Sequence, residues 1–69
     1  MLKFHLRKLL RQKELTQAEL ARRTGVRRAT IFNLVNGYTK EIRLKDLHAI
    51  CREFDCQISD IIEYIPDKK

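Results

Sequence analysis

The sequence predicts an all-α domain of five short helices, and three observations support this fold class. Apolar residues recur at spacings of three and four, which is the period of an amphipathic helix. Capping and turn residues, among them Thr16, Gly25 and Gly37, divide the chain into helix-sized segments. The 69 residues contain no repeat, linker or low-complexity tract. A single domain spanning 1–69 is therefore expected.

The first helix is predicted from about Phe4 to Lys13. Leu6, Leu9 and Leu10 form its inward stripe, and basic residues occupy much of the remaining circumference.

Residues 16–37 are predicted to form two helices around a tight turn. Thr16 followed by Glu19 is the pattern of a capping box, in which two side chains satisfy two free amides at a helix start. Ala21 is small enough to let a second helix cross closely, and Gly25 can adopt the left-handed conformation of a sharp helix exit.

The second helix of this pair is predicted to end at Asn36-Gly37. Ile31, Leu34 and Val35 form its buried stripe. The opposite face carries Ala29, Asn33 and Asn36, with Phe32 beside them and Arg27 and Arg28 at the amino end. Small, amide and guanidinium groups suit contact with the edges of bases.

A fourth helix is predicted after the loop 38–43, with Leu44, Leu47, Ile50, Cys51 and Phe54 facing inward. A fifth is predicted from about Ile58 to Tyr64, with Ile58, Ile61, Ile62 and Ile65 on one side. Gln57 is a candidate cap for this fifth helix. Pro66 is expected to end it, which leaves 66–69 as a frayed tail.

The stretch 16–37 resembles the helix-turn-helix of Xre/Cro-type, lambda-repressor-like bacterial and phage regulators. The matching positions are Leu20, Ala21, Gly25, Val26, Ile31 and Leu34. The similarity continues through 44–51 and 54–64, which resemble the last two helices of small stand-alone members. The resemblance implies a five-helix lambda-repressor-like fold and a regulator that binds double-stranded DNA.

Three residues depart from the pattern of this family. Glu14 stands where relatives often have Gly, and a left-handed helix end costs a non-Gly residue up to about 1 kcal/mol, so a differently shaped turn is expected here. Thr24 occupies a commonly apolar position. Arg27 stands at a helix amino cap where Ser, Thr, Asp or Asn is usual, which favours a contact with phosphate over local stability.

The charge distribution also favours nucleic acid. The formal net charge is +6, and residues 1–43 carry eleven Lys or Arg against three Glu. Residues 44–69 carry four basic residues against six acidic ones. An anionic membrane or an acidic protein would also be attracted to a basic face. The sequence has no apolar run long enough for a membrane span and no signal-peptide pattern, so no membrane partner is expected and the protein is expected to stay in the cytoplasm.

Three residues are candidates for reading bases. The guanidinium of Arg28 can bond guanine O6 and N7 in a bidentate pair. Ala29 could touch a thymine methyl or simply allow close approach. Asn33 could pair with adenine, or bond phosphate or solvent.

Other residues are candidates for positioning the DNA backbone. Gln17 stands where the resemblance implies a phosphate contact, and the further candidates are Arg27, Thr30, Asn36, Tyr38 and Lys40. Arg43 resembles a basic residue that some relatives place near the minor groove. Phe32 could pack against Tyr38 or contact a thymine methyl, and both alternatives remain open at this stage.

No catalytic, cofactor or metal-binding pattern is evident, so the chain is not expected to be an enzyme. Cys51 and Cys56 form neither a disulfide framework nor a zinc pattern, and Cys51 is expected to behave as a buried thiol. His5 and His48 are expected to be surface or core-edge residues.

The leading hypothesis is a sequence-specific transcriptional regulator, a repressor that reads the major groove with the helix at about 28–36. One module buries only roughly 600 to 1,000 Å² on DNA, so a homodimer is expected. Its candidate interface is Ile61, Ile62, Tyr64 and Ile65. An alternative is an antitoxin that binds a toxin and its own promoter. A third hypothesis is binding of single-stranded nucleic acid, for which the chain has few aromatic residues.

Overall fold

The computed structural model describes residues 1–67 of the chain. Within that range it contains four α-helices, a short 3-10 helix and two short strands. In chain order these are β1 (Leu2–Phe4), α1 (Leu6–Lys13), α2 (Gln17–Thr24), α3 (Arg28–Asn36), α4 (Leu44–Phe54), the 3-10 helix (Ile58–Asp60) and β2 (Ile62–Tyr64). A mostly helical domain is confirmed, but the all-α, five-helix architecture is wrong.

The two strands form a small antiparallel sheet that joins the beginning and the end of the described chain. The paired residues are Leu2 with Tyr64, Lys3 with Glu63, and Phe4 with Ile62. Beyond these pairs, the amide of Ile65 donates to the carbonyl oxygen of Met1 at 2.7 Å. β1 also packs against α3, so the sheet supports one end of the helix pair.

The predicted fifth helix over 58–64 is therefore replaced by a 3-10 turn and a strand. Seven residues are too few for a stable isolated helix, whereas a strand at 62–64 gains backbone hydrogen bonds from β1. Both strands alternate apolar, polar and apolar residues, as a half-buried strand does. Gln57 begins the 3-10 helix, and its amide donates to Asp60 Oδ2 at 2.9 Å.

The helix pair α2 and α3 forms as the cap residues predict. Thr16 Oγ1 accepts from the amide of Glu19 at 3.1 Å, and Glu19 Oε1 accepts from the amide of Thr16 at 3.0 Å. These two bonds make the capping box that starts α2. Gly25 ends α2 with φ of 75°, and Gly37 ends α3 with φ of 73°, so both glycines adopt the left-handed conformation.

Thr24 is accommodated in the turn because its hydroxyl replaces missing backbone bonds. Thr24 Oγ1 donates to the carbonyl oxygen of Leu20 at 2.7 Å and accepts from the amide of Val26 at 3.2 Å. One polar side chain thus bridges the end of α2 and the start of the turn. This geometry explains why a polar residue is tolerated at a commonly apolar position.

The core lies between the four helices and the sheet. Its fully buried side chains are Leu6, Leu20, Ile31, Leu34, Ile50 and Ile61. Leu10, Val26, Leu47 and Phe54 complete it. The inward stripes predicted for the first three helices are largely confirmed, with Leu9 and Val35 packing at the edge of the core.

Two apolar residues of the predicted helical stripes lie at the surface. Leu44 is 80% exposed because it is the first residue of α4, and the buried residues of this helix begin only at Asp46. Ile58 is 55% exposed at the start of the 3-10 helix. The inward position predicted for Leu44 is wrong because the helical stripe continues past the residues that the core covers.

α1 ends at Glu14 in the left-handed conformation, with φ of 53° and ψ of 42°. The differently shaped turn expected at Glu14 is therefore not observed, and the residue adopts the left-handed conformation at the cost of strain. Asp55 ends α4 with φ of 51°, where a short polar side chain is better tolerated.

The predicted first helix begins two residues later than about Phe4, at Leu6, because 2–4 form β1. In the predicted frayed tail 66–69, Pro66 and Asp67 lie in no regular element, and 68–69 lie outside the described residues. None of the helices over 1–67 combines the length and apolar character that crossing a membrane requires.

Candidate nucleic-acid interface

α3 presents a continuous exposed face because its apolar stripe anchors the opposite side. Ile31 and Leu34 are buried, and the helix packs against α1 and α2. Arg28, Ala29 and Asn33 are all exposed on the other side. This is the orientation that the helical periodicity predicts, and it leaves these three side chains free to reach a ligand.

A shallow depression joins α2 to α3 on that exposed face. Its lining residues are Gln17, Arg28, Ala29, Phe32 and Asn33. Gln17 is the first residue of α2, so the capping box that starts α2 also places this amide beside α3. The structure therefore brings the three candidate base readers and one candidate phosphate contact onto one surface, called here the α3 face.

A second depression lies beside the amino end of α3. It is lined by Arg27, Thr30, Glu41, Ile42, Arg43 and Asp46. Arg27 is the amino cap of α3, and its side chain makes no capping bond. The first amides of α3 and an exposed guanidinium are thus next to each other, which favours an anion at this end of the helix.

Arg43 is held by an ion pair rather than extending freely from its loop. Its Nε donates to Asp46 Oδ2 at 3.3 Å, and Asp46 is buried. The Arg43 side chain is still largely exposed, so the guanidinium remains accessible beside the second depression.

Asn36 differs from the other candidates because its side-chain amide is already bonded. Its Oδ1 accepts from Arg7 Nη2 at 2.9 Å, and its Nδ2 donates to the carbonyl oxygen of Phe32 at 2.8 Å. Arg7 belongs to α1, so this pair ties the carboxyl end of α3 to α1. Arg7 was not among the candidate residues, since the contact spans 29 positions and no local pattern reveals it.

The loop after α3 carries Tyr38 and Lys40, and both side chains are exposed. The Tyr38 ring packs against Phe32 with the ring centroids 6.3 Å apart and the planes inclined by 58°. This tilted geometry is favourable for an aromatic pair. Of the two alternatives left open for Phe32, packing against Tyr38 is observed, and half of the Phe32 surface remains exposed.

The candidate dimer residues lie in different environments. Ile61 is fully buried in the monomer core and cannot contact a second subunit. Ile62 and Ile65 are half-buried, and Tyr64 is 67% exposed on the sheet. A separate apolar groove, called here the α4 groove, is lined by Leu44, Leu47, His48, Cys51, Cys56, Gln57 and Ile58.

The cysteines and histidines occupy structural positions. Cys51 and Cys56 are free and half-buried, and burial together with the neighbouring Cys51 raises the pKa of Cys56 to about 11. The Cys56 thiol therefore stays protonated at neutral pH. His5 Nε2 lies 2.8 Å from Glu63 Oε1, and His48 is exposed on α4. Residues 1–67 contain no cluster of three or more potential metal ligands among His, Cys, Asp and Glu.

Comparison with known families identifies the class of protein. Residues 5–67 match the Cro/C1-type HTH DNA-binding domain. The chain belongs to this helix-turn-helix family of DNA-binding transcription regulators. The match covers nearly the whole chain, so the resemblance that the motif indicates is confirmed.

A curated relative supports the same class for this Cro/C1-type domain. The chain is 40% identical over 60 residues to the uncharacterized HTH-type transcriptional regulator YozG of Bacillus subtilis (strain 168). The aligned region covers 87% of this chain and 71% of the relative. In this Cro/C1-type domain, α2 and α3 are the helix-turn-helix, and the α3 face is the part that carries the candidate base readers.

Proposed function

We propose that this chain is a sequence-specific repressor that inserts the α3 face into the major groove of double-stranded DNA. The observation that carries the proposal is the grouping of Gln17, Arg28, Ala29 and Asn33 on one exposed surface. Arg28 and Asn33 have the side chains that pair in bidentate fashion with guanine and adenine edges. The proposed target places the protein in the cytoplasm, together with the DNA.

The remaining candidates divide into those that contact the backbone and those that support the site. Arg27 at the amino cap of α3 and Lys40 in the loop after α3 are exposed cations that would contact phosphates. Thr30 and Tyr38 are further backbone contacts in this proposal. Asn36 acts in this proposal through its hydrogen bond to Arg7, which fixes the carboxyl end of α3 against α1. Arg43 approaches the minor groove from its loop.

Repression is the regulatory effect that this binding mode produces most simply. A domain that occupies the major groove over a promoter excludes other proteins by its volume alone, and this requires no activating contact. A promoter carrying the selected site should therefore be silenced when the protein is expressed in a reporter strain. Increased reporter output would reverse the sign of regulation without affecting the proposed base reading.

We also propose that the protein acts as a homodimer through the α4 groove. Leu44 and Ile58 are the exposed apolar residues at its edge. Three exposed charged residues neighbour the lining residues in sequence: Lys45 follows Leu44, Asp55 precedes Cys56, and Asp60 lies two positions after Ile58. Charges of both signs beside an apolar groove would suit the pairing of this surface with itself in a twofold interface. The sheet surface around Tyr64, with Ile62 and Ile65, is the competing interface.

The α4 groove also supports a second candidate function, that of an antitoxin. An exposed apolar surface in the acidic half of the chain fits a protein partner as well as a second copy. Co-purification of the tagged protein from its native strain distinguishes the two. A toxin recovered at equal stoichiometry would favour the antitoxin, and recovery of the homodimer alone would count against it.

Selection of duplexes from a randomised pool tests the proposed function. An inverted repeat with half-sites about one helical turn apart is the expected result, because two copies would present two α3 faces. A pool that yields no motif would contradict sequence-specific reading. Preferential binding of single-stranded competitors would instead favour the single-strand hypothesis.

A further inference from the structure

Phe32 is an unusual residue on the α3 face. Its ring is 50% exposed in the middle of a surface that otherwise presents Arg28, Ala29, Asn33 and Gln17. An aromatic ring of this size contributes more to stability when it is fully buried. The exposed half of the ring is therefore available to a ligand.

The ring is held in place by an aromatic neighbour. Tyr38 packs against it with the ring centroids 6.3 Å apart and the planes inclined by 58°. Ala29 lies one helical turn before Phe32 and lines the same depression. The methyl group of Ala29 and the ring of Phe32 thus form a small apolar patch on the α3 face, with Arg28 and Asn33 in the same depression.

The base edges in the major groove carry one kind of apolar group that could contact such a patch. The exposed edges of the bases are hydrogen-bond donors and acceptors, except for the C5 methyl group of thymine. 5-Methylcytosine carries the same group at the same ring position. We propose that Phe32 and Ala29 form a subsite for the C5 methyl group of a pyrimidine, next to the bases that Arg28 and Asn33 read. This inference rests on the proposed insertion of α3 into the major groove.

The subsite predicts a measurable preference for methylated pyrimidines. Burial of one methyl group is expected to change the affinity roughly fourfold. In the selected duplex, each thymine is replaced in turn by deoxyuridine, which removes only the methyl group. We expect a loss of about fourfold at one position in each half-site and little change elsewhere.

Three variants assign the effect to Phe32. In Phe32→Ser the thymine and uracil duplexes should bind equally, whereas Phe32→Leu should keep part of the difference because an apolar side chain remains. Tyr64→Ser is the matched control, since it removes an exposed aromatic ring from the sheet and should leave the ratio unchanged. Thermal melting checks that each variant is folded.

A second comparison tests whether the subsite also accepts the methyl group of 5-methylcytosine, at the position where deoxyuridine weakens binding. Cytosine and 5-methylcytosine duplexes, each paired with guanine, are compared for the wild type and Phe32→Ser. A gain on methylation in the wild type alone would show that the subsite accepts either pyrimidine, and no gain would restrict it to thymine.

The inference is overturned if the wild type binds its selected duplex tightly but tolerates uracil at every position. It is also overturned if Phe32→Ser keeps the full difference between thymine and uracil. In both cases the proposed sequence reading survives. Absence of any preferred duplex would overturn the inference and the proposed function together.

Discussion

Arg28 and Lys40 are both exposed basic residues near α3, but their chemistry predicts different roles. The guanidinium of Arg28 is planar, lies in the depression with Asn33, and can form two parallel bonds to guanine. Lys40 is a point charge on a loop and suits a phosphate, which is the same for every sequence. The variants of these two residues should therefore fail in different ways.

Arg28→Ala is expected to relax base preference at one position of the half-site. The lost bidentate pair would reduce discrimination there by about 1 to 3 kcal/mol. The measurement is the affinity for the selected duplex and for each of its single-base-pair variants. An equal loss on every duplex would remove Arg28 from the base-reading set.

Lys40→Ala should weaken binding to all duplexes about equally. One lost phosphate contact should lower the slope of log affinity against log salt by roughly one. Salt titrations of the selected and a scrambled duplex measure this slope. A change confined to the selected duplex would make Lys40 a sequence reader instead.

At the scale of the elements, the helix ends show where the sequence was informative. The ends of α2 and α3 were predicted closely because Thr16, Glu19, Gly25 and Gly37 are local signals, each acting over about one turn. The α3 face was predicted for the same reason, since one helical period decides which side chains lie opposite Ile31 and Leu34.

The sheet and the supporting contacts could not be predicted in this way. β1 and β2 are three residues each, and the pairing of Phe4 with Ile62 joins positions that are 58 residues apart. Arg7 and Asn36 also meet only through the tertiary fold. The periodicity of neighbouring residues contains no information on such long-range contacts.

The end of α1 offers a stabilising substitution. Glu14 is held at a φ of 53°, so Glu14→Gly should raise the free energy of unfolding by about 0.5 to 1 kcal/mol. Urea denaturation provides the measurement, and Glu14→Ala is the matched control because it removes the charge but keeps the Cβ atom. An equal effect of both substitutions would show that the charge, and not the backbone, is responsible.

The capping box of α2 predicts a dependence on pH. Hydrogen bonds from the Thr16 amide and hydroxyl hold the pKa of Glu19 below its ordinary value of 4.5. The folded state therefore binds this proton less readily than the unfolded state, and the stabilisation is present above pH 4.5 and lost as the pH falls through the lowered pKa. The stability advantage of the wild type over Glu19→Gln should shrink between pH 6 and pH 3.

Glu41→Gln is the control for that pH series. Glu41 is an exposed carboxylate in the loop before α4, outside the capping box. Its substitution should change stability little across the same pH range. A pH dependence of equal size for both variants would contradict the assignment to the capping box.

At the scale of the whole molecule, the small size of the domain makes a second copy important for specificity. Ile58→Asp places a charge in the α4 groove and should yield a monomer that no longer binds the inverted repeat with dimer affinity. Tyr64→Ser should remain a dimer. Analytical ultracentrifugation measures both, with circular dichroism to verify folding.

A dimeric Ile58→Asp together with a monomeric Tyr64→Ser would instead assign the dimer interface to the sheet surface around Tyr64. A wild-type protein that stays monomeric on DNA would contradict the dimer altogether. Neither result would change the assignment of α3 as the reading helix, because that assignment rests on the exposed side chains of one subunit.

The central claim is that the α3 face distinguishes one DNA sequence from another. The most direct measurement compares the affinities of the wild type for the selected duplex and for a scrambled duplex of the same composition, at physiological salt. We predict that the selected duplex binds about a thousandfold or more tightly. Equal affinities for the two duplexes, both lost on addition of salt, would show attraction by charge alone and would contradict sequence reading.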